Sequence, residues 1–306
     1  MIGQTTMEYK RLGYPGWKVS RVTFGCMSLD LGNEGNDQLL RKAFELGVNF
    51  FDTADLYDKG ENERAIGKAL KPIRGQVYLA TKVGNQWRPG GSGWDWNPTK
   101  DYILQAADES LQRLQTDHID LYQLHGGTLD DPFDDTLEAF ERLKEQGKIL
   151  QYGISSIRPN VIRRWLDKSN LTSNMMQYSL LDRRPEEQCL DWLKEREVGV
   201  LARGSLAKGL LADKPAKGYL GYSEAEIRSM KRTTGSLGQE RTPAQVALRF
   251  VLANPAVTTA VVGIRTEAQL EEAIETFSKS PLDPIDIQKL TSVLVPGTYT
   301  EHQVDL

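Results

Sequence analysis

Short apolar segments alternate with longer segments of helical periodicity along most of this chain. The short segments are rich in β-branched and aromatic residues, which is typical of buried strands. They predict strands at Val22–Gly25, Val48–Phe51, Val77–Thr81, Ile119–Leu124, Leu150–Ile154, Ser173–Met176, Val198–Ala202 and Val257–Val262. In the segments between them, apolar residues at three- and four-residue steps predict helices that bury one face. These helices span Asn36–Leu46, Glu61–Leu70, Lys100–Leu114, Thr136–Gln146, Asn160–Lys168, Glu186–Glu197, Pro243–Ala253 and Glu267–Glu275.

The order of these elements predicts an α/β fold. Repeated strand-then-helix units favour a closed (β/α)8 TIM barrel, although an open doubly wound sheet shares the same periodicity. Alternating apolar and polar residues over Met7–Phe24, around a turn at Gly13–Gly16, predict an N-terminal β-hairpin. A C-terminal helix is expected near Pro284–Val293. We expect residues 1–306 to form one domain.

Two connections are longer than is usual between a strand and its helix, and both follow strands where a barrel places its active-site loops. Gly84–Pro98 is rich in glycine and tryptophan, and its rings either pack on the barrel rim or form an apolar wall for a substrate. Gly204–Arg241 contains a predicted helix at Ser223–Arg232, followed by Thr233–Gln239, which we expect to be mobile. The tryptophans of the first connection are Trp87, Trp94 and Trp96.

Charge and cysteine content exclude several classes of function. The chain has 38 Lys and Arg against 42 Asp and Glu, a net charge of −4, so we expect no nucleic-acid or anionic-membrane partner. Cys26 and Cys189 lie far apart in sequence and suggest neither a disulfide framework nor a metal site. Because the chain also lacks an apolar stretch of signal-peptide or membrane-span length, we expect a cytoplasmic protein.

Polar residues stand at the ends of three neighbouring predicted strands. Asp52, Lys82 and His125 follow the second, third and fourth strands, and Tyr57 lies in the loop after the second. Because parallel strands end at one face of a barrel, these side chains can converge there. Each residue alone has a plain structural explanation, such as an Asp–Lys ion pair or a histidine on the rim.

Together the four residues suit reduction of a carbonyl group. A carbonyl that receives hydride also needs a proton, and a tyrosine with an ordinary pKa near 10 needs help to supply it. The Lys82 ammonium would lower the pKa of Tyr57, and Asp52 would hold Lys82 charged. A neutral His125 would donate a hydrogen bond to the substrate oxygen. The predicted proton donor is therefore Tyr57.

Several ordered motifs resemble those of the aldo-keto reductase superfamily, in particular its shorter bacterial-type members. They include Asp52–Tyr57, Ala80–Lys82 and Asp120–His125, together with Phe24–Ser28, Tyr152–Ser156 and Gly263–Thr266. The resemblance spans essentially the whole chain. It implies a barrel, an Asp, Tyr, Lys and His tetrad, bound NADPH, a small-molecule carbonyl substrate and no metal.

No GxGxxG motif follows the first strand, so a nicotinamide cofactor must be held in another way. The resemblance implies that it lies across the barrel mouth. Three positions depart from the family: Ser156 and Ala273 replace residues that are often asparagine, and Arg203 replaces the aromatic residue that commonly stacks on nicotinamide. A guanidinium can also stack, but its charge disfavours the oxidised, cationic ring. The implied cofactor-binding residues are Met27, Asp52, Ser155, Ser156, Gln177, Arg203, Gly204, Leu206, Lys208, Gly209, Gly263, Arg265, Thr266, Gln269 and Glu272. Among them, the resemblance implies that Ser155, Ser156 and Gln177 hold the nicotinamide carboxamide, that Arg265 contacts the 2′-phosphate, and that Gln269 and Glu272 contact the adenine.

The leading hypothesis is an oxidoreductase that reduces an aldehyde or ketone with hydride from NADPH and a proton from Tyr57. A second hypothesis is a redox-sensing, NADP(H)-binding regulatory subunit with little turnover. A third is a Schiff-base lyase, in which a deprotonated Lys82 attacks a carbonyl. An ion pair with Asp52 opposes the third, because it keeps Lys82 protonated.

Overall fold

The computed structural model describes residues 7–237 and 240–304. A two-stranded hairpin comes first in the chain, and parallel strands joined by helices follow it. The strands are β1 (Tyr9–Leu12), β2 (Trp17–Ser20), β3 (Val22–Gly25), β4 (Phe50–Asp52), β5 (Tyr78–Val83), β6 (Asn85–Trp87), β7 (Trp94–Trp96), β8 (Ile119–Leu124), β9 (Ile149–Ile154), β10 (Ser173–Gln177), β11 (Gly199–Arg203) and β12 (Val257–Gly263). The helices are α1 (Asn36–Glu45), α2 (Glu61–Leu70), α3 (Lys100–Leu114), α4 (Phe133–Glu145), α5 (Pro159–Lys168), α6 (Cys189–Glu195), α7 (Glu224–Ser236), α8 (Pro243–Ala253), α9 (Glu267–Glu275) and α10 (Pro284–Ser292).

Eight of these strands form a closed barrel in the order β3, β4, β5, β8, β9, β10, β11, β12, and β12 pairs back onto β3. All neighbouring pairs are parallel, so their carboxyl ends meet at one rim. The predicted (β/α)8 TIM barrel is therefore confirmed, and the open doubly wound sheet is excluded. The predicted hairpin is also present, as the antiparallel pair of β1 and β2.

The hairpin closes the amino-terminal end of the barrel. Leu12 and Val19 are fully buried in a small interior core with Phe50, at the start of β4. Leu12 also lies close to Gly199, the first residue of β11, where an added Cβ would come within 2.2 Å of the leucine Cδ1. Because this end is filled with apolar side chains, the polar groups at the carboxyl ends of the strands face the open end.

Local sequence signals set the helix ends. Thr242 accepts a hydrogen bond from the backbone of Gln245 and the Gln245 side chain returns one, which forms a capping box before α8. Helix α6 begins at Cys189, later than predicted, because Arg184–Glu187 forms a separate turn of 3-10 helix with a proline in its first turn.

The structure adds one element to the long connections and corrects one expectation about them. The Gly84–Pro98 segment contains a hairpin that was not predicted, in which the three residues of β6 pair with the three of β7. The Thr233–Ser236 part of the segment expected to be mobile continues helix α7, because Thr234 is fully buried there. Gly238 and Gln239 lie outside the described residues. Across residues 7–237 and 240–304, no helix is long and apolar enough to cross a membrane.

Candidate functional site

The open rim of the barrel brings together all four residues of the predicted catalytic set. Asp52 is the last residue of β4, Lys82 lies one residue before the end of β5, and His125 directly follows β8. The ring of Tyr57 lies edge-on to the imidazole of His125, with 6.0 Å between the ring centroids. Lys82 Nζ is 5.0 Å from the centroid of the Tyr57 ring.

The loop after β4 turns Tyr57 back over the rim. Thr53 donates a side-chain hydrogen bond to Asn62 Oδ1 at 2.6 Å, and Asn62 donates to the carbonyl oxygen of Cys26 at 3.0 Å. Asp58 and Lys59 then adopt left-handed backbone conformations, with φ of 49° and 57°. Such conformations are strained in non-glycine residues and persist only where surrounding contacts impose them. Hydrogen bonds before Tyr57 and left-handed residues after it therefore set the path of the loop that carries it.

Lys82 is the centre of the hydrogen-bond network. Its Nζ donates to Asp52 Oδ2 at 2.7 Å, to the carbonyl oxygen of Thr53 at 2.6 Å and to Tyr57 Oη at 3.4 Å. Burial lowers the pKa of Lys82, but the charges and hydrogen bonds of Asp52 and Tyr57 outweigh burial, so the net pKa is raised. A lysine held as ammonium cannot attack a carbonyl, which removes the basis of the Schiff-base hypothesis.

Burial acts on Tyr57 more strongly than its charged neighbours do. It raises the pKa of Tyr57, while the Lys82 ammonium lowers it, and the net direction is upward. The lowering by Lys82 that the sequence predicts is therefore present, but burial outweighs it because the side chain is almost completely removed from water. Tyr57 is thus a protonated phenol at neutral pH, and Lys82 stabilises the tyrosinate that would remain after proton transfer.

His125 is neutral, as predicted. Burial lowers its pKa to about 3, and the nearby charges of Lys82 and Arg203 lower it too. Its Nδ1 is buried and has no hydrogen-bond partner among the described residues. A neutral imidazole carries one N–H and one lone pair, so it can donate one hydrogen bond toward Tyr57 and the rim.

A buried glutamine that the sequence reasoning missed completes the polar cluster. Gln123 lies opposite Lys82 in the register of β5 and β8, and its Nε2 donates to Asp52 Oδ1 at 3.3 Å. Burial raises the pKa of Asp52, and both Lys82 and Gln123 oppose that rise. The signal was present in the sequence, since a glutamine within an otherwise buried apolar strand needs a polar partner.

The three tryptophans of the β6–β7 hairpin have different environments. Trp96 packs on the rim, where a Cβ added to Gly84 would come within 2.6 Å of its ring, and its Nε1 donates to Asp131 at 2.8 Å. Trp87 donates to the carbonyl oxygen of Leu56 at 3.2 Å, beside the catalytic tyrosine candidate. Trp94 is 48% exposed on the outer part of the hairpin.

The ends of β9 and β10 carry the residues expected to hold a carboxamide. Ser155 and Ser156 follow β9, and Gln177 ends β10. Asn174, which the sequence reasoning also missed, holds Ser156 in place: the serine N–H donates to Asn174 Oδ1 and Asn174 Nδ2 donates to the serine carbonyl, both at 3.2 Å. Gln177 accepts a hydrogen bond from Arg203 at 3.1 Å.

The ends of β11 and β12 supply positive charge at the rim. Arg203 ends β11, Lys208 follows it on an exposed left-handed turn with φ of 58°, and Arg265 is exposed beyond β12. None of these three cations lies within ion-pair distance of a carboxylate among the described residues. Uncompensated cations at a rim of strand ends fit an anionic ligand. Gly204, Leu206 and Gly209 lie in the same turn region as Lys208, and Gly263 ends β12.

Helix α9 begins beside Arg265. Thr266 caps it by accepting a hydrogen bond from the backbone of Gln269. The Gln269 side chain accepts from the Arg265 N–H at 2.9 Å, and Glu272 accepts from the hydroxyl of Thr242 at 2.6 Å. Met27 is 63% exposed and lies two residues after β3, the strand that pairs with β12. The implied cofactor-binding residues thus lie at the ends of strands or in the loops that follow them, apart from Gln269 and Glu272, which lie in α9.

A family model described as the Aldo/keto reductase family matches residues 21–295. The chain is 45% identical to the uncharacterized oxidoreductase YqkF of Bacillus subtilis (strain 168), over 97% of this chain and 100% of that protein. Among solved structures, it is similar to the holo form of the aldo-keto reductase AKR11C1 of Bacillus halodurans, with a TM-score of 0.93 and 44% identity over 97% of this chain and 99% of the other. The apo form of that protein gives a TM-score of 0.83 over the same shares of the two chains.

Proposed function

Because the chain belongs to the aldo/keto reductase family of oxidoreductases, we propose that it reduces an aldehyde or ketone with NADPH and that Tyr57 supplies the proton. The observation that carries the proposal is the buried ammonium of Lys82, which donates to both Asp52 and Tyr57. This arrangement suits a phenol that must give up a proton during the reaction and regain it afterwards. A bound nicotinamide would supply the hydride to the carbonyl carbon.

The roles of the four side chains follow from their charges. Tyr57 donates its phenolic proton to the carbonyl oxygen as negative charge develops there. The Lys82 ammonium stabilises the resulting tyrosinate, and Asp52 keeps Lys82 protonated and in place. His125, neutral at working pH, offers an N–H to the same oxygen and orients the carbonyl.

The residues at the rim fit NADPH as the cofactor. An extended dinucleotide with a 2′-phosphate carries several negative charges, and Arg203, Lys208 and Arg265 are cations without a carboxylate partner among the described residues. Arg265 would hold the 2′-phosphate, since a guanidinium fork matches a phosphate monoester.

The substrate would be a small carbonyl compound whose apolar part lies against Trp87. Trp87 is the tryptophan of the hairpin that bonds to the loop carrying Tyr57. Trp96 packs against glycines of the rim and Trp94 is largely exposed, so we assign the substrate wall chiefly to Trp87.

The test is NADPH consumption with a panel of aldehydes, comparing the wild type with Tyr57→Phe. We expect turnover by the wild type and a loss of at least about 100-fold in kcat for the variant, the usual contribution of a positioned proton donor. NADPH binding, followed by quenching of tryptophan fluorescence, should survive in both proteins. Binding without turnover in the wild type would contradict the proposal and favour a redox-sensing subunit. Equal turnover of the two proteins would show that the proton comes from another group.

A further inference from the structure

The side-chain amide of Gln177 is bonded at both ends. Its Nε2 donates to Asp182 Oδ2 at 2.8 Å and to Tyr219 Oη at 3.2 Å, and its Oε1 accepts from Arg203 Nη1 at 3.1 Å. An amide nitrogen has two hydrogens, so both are used. In this arrangement, Gln177 has no N–H left for a ligand, and its oxygen is directed at a guanidinium.

The orientation of this amide follows from Asp182. Asp182 is 3% exposed, and Arg184 donates to both of its oxygens, at 2.7 and 2.8 Å. An ionised carboxylate only accepts hydrogen bonds. Gln177 must therefore turn its nitrogen toward Asp182, and its oxygen must then face Arg203. The reverse orientation would set the amide oxygen against a carboxylate and the amide nitrogen against a guanidinium.

Arg203 is held where its charge reaches the catalytic residues. It is paired with Gln177 in the register of β10 and β11. Its positive charge lowers the pKa of both Tyr57 and His125, although burial and Lys82 are the larger influences on each. No carboxylate of the described residues pairs with Arg203. The guanidinium is held instead by the amide oxygen of Gln177, which is neutral and does not cancel its charge.

We propose that Asp182 is a positioning residue that sets the orientation of Gln177 and thereby holds the uncompensated guanidinium of Arg203 beside the nicotinamide site. This inference rests on the proposed function. It gives Gln177 a role different from direct donation to the carboxamide. It also links Arg203 to the long β11–α7 connection, because Tyr219 of that connection accepts from the same amide.

The consequence is a selective effect on the oxidised cofactor. The nicotinamide ring is cationic in NADP+ and neutral in NADPH, so a fixed guanidinium beside it weakens binding of NADP+ alone. The quantity to measure is the ratio of the two dissociation constants, Kd(NADP+) over Kd(NADPH), because effects common to both forms cancel in it. A residue with a merely structural role would change both constants together.

The experiment measures this ratio, by tryptophan fluorescence or calorimetry, for the wild type, Asp182→Asn, Arg203→Leu and the double variant. We expect Arg203→Leu to lower the ratio by at least about threefold, since two unit charges about 4 Å apart near a protein surface repel by more than that factor requires. Asp182→Asn should lower the ratio in the same direction, because the guanidinium is then no longer held beside the ring. In the double variant, the ratio should match that of Arg203→Leu to within about twofold, because Asp182 acts through Arg203. Asp167→Asn, the same change at an exposed aspartate of α5, serves as the control and should leave the ratio unchanged.

Gln177→Leu provides a second route to the same result, since it removes the acceptor of Arg203 and leaves Asp182 and Arg184 in place. It should lower the ratio as Arg203→Leu does, which keeps the inference testable if Asp182→Asn fails to fold. An unchanged ratio in Asp182→Asn and Gln177→Leu, with a lower one in Arg203→Leu, would overturn the inference and leave the proposed function intact. The inference would also be overturned if the separate effects of Asp182→Asn and Arg203→Leu on the ratio simply multiplied in the double variant. A wild type that binds neither form would instead overturn the proposed function.

Discussion

The buried ion pair of Lys82 and Asp52 predicts that removing one charge will cost more stability than removing both. Their side chains are 1% and 5% exposed. Lys82→Met keeps the length of the side chain but leaves the Asp52 carboxylate, among the described residues, with only the amide of Gln123 as a side-chain donor. Breaking one partner of a buried pair costs about 3–5 kcal/mol. At about 2 °C per kcal/mol for a chain of this size, Tm should fall by about 6–10 °C.

The double variant Asp52→Asn/Lys82→Met removes both charges and preserves both shapes. Replacing a whole buried pair is often close to neutral, so we expect the double variant to recover at least about 2 kcal/mol of the loss. The measurement is thermal and urea unfolding by circular dichroism for the wild type, both single variants and the double variant. If the two single losses add in the double variant, the pair is not the source of the effect and the reasoning is refuted.

The deficit of Lys82→Met should also depend on pH. Without its cation, buried Asp52 will have a folded-state pKa further above its unfolded value of about 3.9. A carboxyl with a raised folded pKa stabilises the fold below the unfolded value and loses that contribution as the pH rises through the folded pKa. We therefore expect a small deficit near pH 4 that grows toward pH 8, while the double variant shows no such trend. A deficit independent of pH would mean that lost packing, not an unpaired charge, destabilises the variant.

Three further predictions concern other parts of the molecule. The pKa of His125 is about 3 in the folded protein, below its unfolded value of about 6.5. The wild type should therefore lose up to about 1.4 kcal/mol of stability per pH unit as the pH falls from 6.5 toward 4. The Tm of His125→Gln should fall less over the same pH range. Gly67→Ala should destabilise the protein by about 1–3 kcal/mol despite the better helix propensity of alanine, because the added Cβ would clash with the carbonyl oxygen of Leu114. The control is Gly235→Ala, at a position of α7 with no atom near the added Cβ. It should be neutral or stabilising in the same urea unfolding assay. Arg265→Ala should weaken NADPH binding by about tenfold or more and leave NADH binding nearly unchanged, and equal losses for both cofactors would remove Arg265 from the proposed phosphate site.

The fold could be predicted from the sequence because the barrel repeats one pattern. Strands buried on both faces are continuous apolar runs, and helices that cover them carry one apolar face, so each unit has a clear signal. The hairpin of β6 and β7 was not predicted, since its strands are only three residues long and tryptophans and glycines occur equally in loops. That residues 1–306 form a single domain stays a prediction.

The convergence of the four proposed catalytic residues could be predicted for a related reason. Charged residues at the ends of apolar strands converge wherever parallel strands end together. The net direction of the Tyr57 pKa could not be predicted, because it depends on how completely the loop after β4 removes the phenol from water. Asp182 could not be found either: it acts through Gln177, and only the folded chain shows that Arg184 occupies both of its oxygens.

The balance of charge at the rim leads to a last prediction about the direction of the reaction. Lys82 and Arg203 are positive charges beside Tyr57 and His125. Asp52 pairs with Lys82, whereas Arg203 has no carboxylate partner among the described residues. A positive group stabilises the oxyanion that develops on a carbonyl during reduction, and it opposes the cationic ring that forms at the same time. If repulsion of the cationic ring is the larger effect, Arg203→Leu should lower Kd for NADP+ and slow the release of NADP+ after reduction. If stabilisation of the oxyanion is the larger effect, the variant should have a slower chemical step. Single-turnover and steady-state rates of NADPH oxidation separate the chemical step from the release of NADP+. We expect release to be the step that slows. The nicotinamide ring gains a full positive charge, whereas the charge on the carbonyl oxygen is reduced by the proton from Tyr57. A variant with a slower single turnover and unchanged NADP+ affinity would refute this assignment.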